Sequence, residues 1–127
     1  MNYTITRRIP ASLPAVEPRV RDALKAKGFG VLTEIDVAAT MKAKLGEDMP
    51  GYRILGACNP KMAFAAIGME PQIGAMLPCN VILREVEGET EIAAIDPVAS
   101  MQAVPNDKLK TLAAQVRDLL AEAVAAV

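Results

Sequence analysis

Histidine is absent from all 127 residues. That removes triads with an imidazole base, imidazole general acid–base chemistry and most catalytic zinc sites. Tryptophan is missing too, and two tyrosines and two phenylalanines are the only aromatic residues. The core must be built from Val, Ile, Leu, Met and Ala, with little ring surface on which a base could stack. Net charge is nearly absent: 14 basic and 15 acidic side chains leave −1, and no basic stripe appears. Nucleic-acid binding needs cations against phosphates, so it is disfavoured. Two cysteines without a CxxC spacing are too few for a disulfide framework and form no thioredoxin-like exchange motif. No apolar run approaches the ~20 residues of a membrane span. Residues 1–10 alternate in polarity and lack the apolar stretch of a signal peptide. The expectation is a soluble, cytoplasmic protein with reduced thiols, bound to neither nucleic acid nor membrane.

What is present fits one domain over residues 1–127, with 52% apolar and 23% charged residues. Asn2 to Ile9 alternates, placing Tyr3, Ile5 and Ile9 on one side and Thr4, Thr6 and Arg8 on the other, as a half-buried strand does. Ser12 offers an N-cap for a helix carrying Val16, Val20, Ala23 and Leu24, which Gly28 ends. Pro18 would remove a bond and crowd the preceding turn, so that helix either starts late, near Glu17, or kinks. Phe29 to Val37 is the second strand, and Asp36 caps a short helix ending at Gly46. Tyr52 to Cys58 is the third strand. Asn59-Pro60 then supplies an N-cap followed by Pro at the first helical position. Residues 71–77 form a turn or helical connector. Cys79 to Val86 and Glu89 to Ile95 form a hairpin about Glu87-Gly88, Asp96-Pro97 opens a brief turn, and a long helix starts near Asp107.

The order is β-α-β-α-β-α-β-β-α, an α+β fold whose antiparallel sheet carries its helices mainly on one face. The third and fourth strands are apolar on both faces, as at Ile54-Leu55 and Val81-Ile82-Leu83. Such strands are usually covered on both sides, and a second copy of the chain is the natural cover. The Ala-rich stretch 121–127 is a second candidate contact surface. A homodimer is expected.

Chemistry concentrates at two Cys-Asn dipeptides, Cys58-Asn59 and Cys79-Asn80. Cys58 ends the third strand just before a helix start, where free backbone N–H groups and the helix dipole favour an anion. Cys79 begins the fourth strand. Antiparallel strands would put both thiols at one end of the sheet, and parallel strands at opposite ends. The asparagines can donate to a ligand oxygen or simply cap backbone. The plainer reading of both cysteines is packing, because free Cys usually behaves as a small buried hydrophobe. Glu34 and Asp36 share a face of the second strand and could act as acid and base, but the structural account is favoured: Asp36 caps a helix, and Glu34 is either exposed or paired with Arg53. Met41, Met62, Met69 and Met76 lack tight MxM clustering and read as flexible core filler. The glycines form neither GxGxxG nor a Walker loop, so no nucleotide cofactor is indicated.

Three segments, GFGVLTEID at Gly28 to Asp36, YRILGACNP at Tyr52 to Pro60 and LPCNV at Leu77 to Val81, resemble the bacterial and archaeal domain of unknown function 302. The resemblance covers almost the entire chain in order. It implies a compact α+β domain with a TATA-binding-protein-like antiparallel sheet, association as a dimer, and no established activity. The motif residues carried over are Glu34, Asp36, Tyr52, Cys58, Asn59, Cys79 and Asn80. Pro18 departs from the Glu/Arg-rich pattern expected in the first helix.

Three functions compete. The first is a dimeric module binding an unidentified small molecule or partner near the Cys-Asn pairs, with Asn59, Asn80, Glu34, Asp36 and Tyr52 as ligand contacts. The second is a thiol-dependent enzyme or redox sensor using Cys58 or Cys79. The third is a soft-metal binder for copper(I) or zinc. No cofactor and no specific set of metal ligands is expected.

Overall fold

A computed structural model describes residues 2–127. Strands β1 (Thr4–Ile9), β2 (Gly30–Asp36), β3 (Tyr52–Cys58), β4 (Cys79–Val86) and β5 (Glu89–Ile95) form one antiparallel sheet in the order β1-β5-β4-β3-β2. Helices α1 (Leu13–Ala26), α2 (Val37–Leu45), α3 (Pro60–Met69), α4 (Pro97–Ser100) and α5 (Asp107–Ala125) complete the fold, with a 3-10 helix at Pro71–Met76. Among the described residues, no helix is long and apolar enough to cross a membrane.

The caps follow the sequence. Asp36, Asn59, Asp96 and Asn106 each accept a backbone N–H of the helix they open. Glu87 and Gly88 both have positive φ, at 52° and 78°, which suits a two-residue hairpin. The first helix departs from expectation. It begins at Leu13 and runs through Pro18, while the Ser12 side chain makes no capping bond. Leu13, Val16, Val20 and Leu24 form a continuous buried stripe that holds this helix on the sheet. Pro14, whose carbonyl loses the Pro18 partner, is exposed to water. Tyr3 lies outside β1 and is exposed rather than packed with Ile5 and Ile9.

One core joins the α1 stripe to Leu55, Val81, Leu83, Ile92 and Ala94 of the sheet and Leu120, Ala123 and Val124 of α5. The stretch 121–127 is divided between core and surface: Ala123, Val124 and Val127 are buried, while Glu122, Ala125 and Ala126 are exposed. Arg7 clamps its end, donating from Nη1 to the carbonyls of Val124, Ala125 and Val127 at 3.2, 2.7 and 2.8 Å. A second cluster gathers Ala66, Ile73, Met101, Leu109 and Ala113. It lies where α3 and α4 meet the first half of α5.

The opposite face of the sheet carries a cross-strand row in register, Ile35–Ile54–Ile82–Ala93–Thr6. None of these five belongs to either core cluster. Ile54 and Ile82 are half-buried and Ile35 is exposed. A neighbouring row, Tyr52–Arg84–Glu91–Arg8, is polar and includes an Arg84–Glu91 ion pair.

Candidate functional site

β3 and β4 are antiparallel with Ala57 opposite Cys79. Cys58, one residue further along, is therefore at the same end of the sheet as Cys79. Here the two apolar clusters meet, and the seam between them holds a partly open cavity of about 40 Å³. The sheet side supplies Phe29, Ala57 and Cys79, and the helices supply Ala66, Leu109 and Ala113. Cys58, Asn59, Met62 and Met101 also line it. By the measure in which one water needs roughly 10–15 Å³, the space takes about three waters or a compact group of a few atoms.

Cys79 is buried, Met101 is buried, and Cys58 and Met62 are half-buried. Burial, with a smaller contribution from the charge of Cys58, pushes the Cys79 thiol up from 9.0 to about 11. At neutral pH it is a protonated thiol. No carboxylate, ammonium or guanidinium lines the cavity, and Asn59 is its one polar side chain apart from the thiols.

Asn59 is held twice. Its Oδ1 accepts from the Met62 backbone N–H at 3.3 Å, fixing the start of α3. Its Nδ2 lies against Gly28, where an added Cβ would come within 3.1 Å. Gly28 has φ +86°, a left-handed conformation that glycine adopts without strain. Asn59 is thus both a cap and a wall of the cavity.

The other expected site residues lie elsewhere. Asn80 is exposed and opposite Gly56, pointing to the uncovered face rather than into the cavity. Tyr52 starts β3, six residues from Cys58, or ~20 Å along an extended strand. Asp36 pairs with Arg53 at that far end, and Glu34 with Leu55. Both carboxylates have partners. Asp36 accepts from the Ala39 N–H at 2.9 Å and lies 3.5 Å from Arg53 Nη1, while Glu34 contacts Arg21 and lies 3.5 Å from Arg53 Nη2. Arg53 Nε also meets Glu17 at 2.5 Å, which ties a half-buried pair into the same ion network. Glu34, Asp36 and Tyr52 therefore share no pocket with the cysteines.

Met101 was not singled out by the sequence. It follows α4, far in the chain from either Cys-Asn pair, and only the folded seam brings it to the cavity. Of the four methionines singled out, Met62 alone reaches the cavity.

A search of curated proteins finds no match. The family model described as "Domain of unknown function DUF302" matches residues 5–127. The crystal structure of an uncharacterized conserved protein DUF302 from Bacillus stearothermophilus is similar at a TM-score of 0.93 and 26% identity, covering 98% of each chain. The fold, the motif segments and the matched span agree: this chain belongs to the DUF302 family.

Proposed function

We propose that this domain is a binding module that encloses a small ligand, molecule or ion, in the cavity beside Cys58 and Cys79. The observation that carries this reading is convergence. Both cysteines and the capping Asn59 border one apolar space at a seam between two packed clusters. Catalysis by either thiol has less support. No acidic or basic side chain lines the cavity to take a proton, and the Cys79 thiol is held protonated at neutral pH. The size of the cavity favours a compact guest over an organic cofactor.

Xenon tests the reading, because it enters apolar cavities without needing a polar partner. Under xenon pressure, methyl resonances of Met101, Leu109 and Ala113 should shift in a saturable way, and Ala113→Leu, which fills the space, should abolish the shift. An unresponsive wild-type cavity would count against it.

The module is further proposed to act as a homodimer through the uncovered sheet face. The support is the apolar row Ile35–Ile54–Ile82, outside both core clusters, in which Ile35 is exposed and the other two are half-buried.

A further inference from the structure

We propose that the partner on the uncovered face is a second copy of this chain laid sheet against sheet, with its two-fold axis running along the strands between β3 and β4. The inference rests on the dimer reading above and deepens it by fixing which residue of one copy meets which of the other. Helices α1 and α5 pack on the face that carries Leu55, Val81 and Ile92. The opposite face of an antiparallel sheet is usually polar when it meets only water. Here three neighbouring strands place isoleucine on it in register, Ile35–Ile54–Ile82, and β5 follows with the smaller Ala93. The adjoining row runs Tyr52–Arg84–Glu91 across β3, β4 and β5.

Self-complementarity points to a second copy, because a two-fold interface uses one patch twice. Two sheets packed face to face keep their strands nearly aligned, with a side-chain layer ~10 Å thick between them. Rotation about an axis along the strands therefore sets each row over its own counterpart. With that axis between β3 and β4, Ile54 meets the partner's Ile82, and Ile82 meets the partner's Ile54. Ile35 falls on the partner's Ala93, large against small. Arg84 falls over the partner's Tyr52, a cation against an aromatic ring, and keeps its ion pair with Glu91.

Neighbouring axes do less. An axis along β4 sets Arg84 on the partner's Arg84, and facing like charges oppose association. An axis between β4 and β5 leaves Ile35, 47% exposed, without a cover. An axis along β3 overlaps three strands of each copy, whereas the proposed one overlaps four, β2 to β5.

The experiment uses the unmodified full chain. Dimers are assembled from one isotope-labelled and one unlabelled copy, and isotope-filtered NOE spectra then report contacts between copies alone. The expected contacts join Ile54 methyls to the partner's Ile82 and Ile35 methyls to the partner's Ala93. Ile35→Asp changes an exposed site outside both core clusters and should raise the dimer dissociation constant at least about tenfold, since its carboxylate would be buried against an alanine. Contact of Ile82 with the partner's Ala93 in place of Ile54 would overturn the arrangement. So would silence between copies from all three isoleucines, or an Ile35→Asp dimer as tight as the wild type. If the arrangement fails while Ile82→Glu still dissociates the dimer, the axis falls and the sheet-face reading stands. If the wild-type chain is a monomer, both fall.

Discussion

Cys58 stands one residue out of register with Cys79 on the neighbouring antiparallel strand, and both residues border the same cavity although one is half-buried and the other buried. The pair is chemically unequal for that reason. Alkylation with a small haloacetamide at neutral pH should modify Cys58 in the native protein and leave Cys79 untouched until denaturant is added. Mass mapping of the labelled peptides checks this. Equal labelling of both cysteines in native protein would remove the basis for treating Cys79 as the inner residue.

The raised Cys79 pKa makes a claim about alkaline stability. Its folded value, about 11, lies above the unfolded one near 9, so the folded state retains a proton that the unfolded chain loses. The stabilisation tied to that proton is present below pH 9 and is lost as pH rises towards 11. It amounts to about 2–3 kcal/mol by the two-unit difference. Unfolding of wild type and Cys79→Ala by urea at pH 8 and at pH 11 isolates it from the titration of lysines and tyrosines. The stability gap between the two proteins should narrow by that order at the higher pH.

Asn59 and Gly28 should behave as one unit. Asn59→Ala removes the α3 cap, at a cost of about 1 kcal/mol. Gly28→Ala forces a left-handed alanine and crowds the Asn59 amide, costing at least about 1–2 kcal/mol. Because the crowding partner is Asn59 itself, the double variant should be less destabilised than the sum. A double-mutant cycle in urea measures the coupling, and strict additivity would contradict the packing described.

The uncovered row bears on assembly. Ile82 is half-buried at the centre of Ile54–Ile82–Ala93, on the face away from the main core. Ile82→Glu places a charge there without entering that core. Sedimentation should show the wild-type chain as a dimer and this variant as a monomer with a closely similar thermal midpoint. A monomeric wild type would dispose of the dimer proposal.

Much of the fold was legible because local signals agreed. β3, β4 and β5 have the expected bounds, since alternation or apolar runs are bracketed there by Pro50-Gly51, Asn59-Pro60, Glu87-Gly88 and Asp96-Pro97. The capping side chains of Asp36 and Asn59 could be named from their positions alone. Pro18 misled because a local rule met a tertiary one: the stripe from Leu13 to Leu24 outweighs one missing bond in an exposed first turn. The site was half legible. That the cysteines share an end of the sheet follows once strand direction is known. Their separation from Glu34, Asp36 and Tyr52 follows from the same register, which sets the start of β3 against the end of β2. The cavity itself was not legible, because a seam between two clusters leaves no periodic trace. Met101 joins it through packing at Leu109 and Ala113 rather than through any spacing.

The clamp of Arg7 on the last turn of α5 has a consequence for how the domain assembles. The wall formed by Leu109, Leu112, Ala113 and Val116 belongs to a helix whose other end is fastened to the first strand. That strand reaches the rest of the sheet only through β5. Closing the chamber therefore needs residues more than 100 positions apart to meet. Both cysteines precede α5 in the chain and are synthesised before it, so the chamber that Cys79 borders is complete only once that helix has docked.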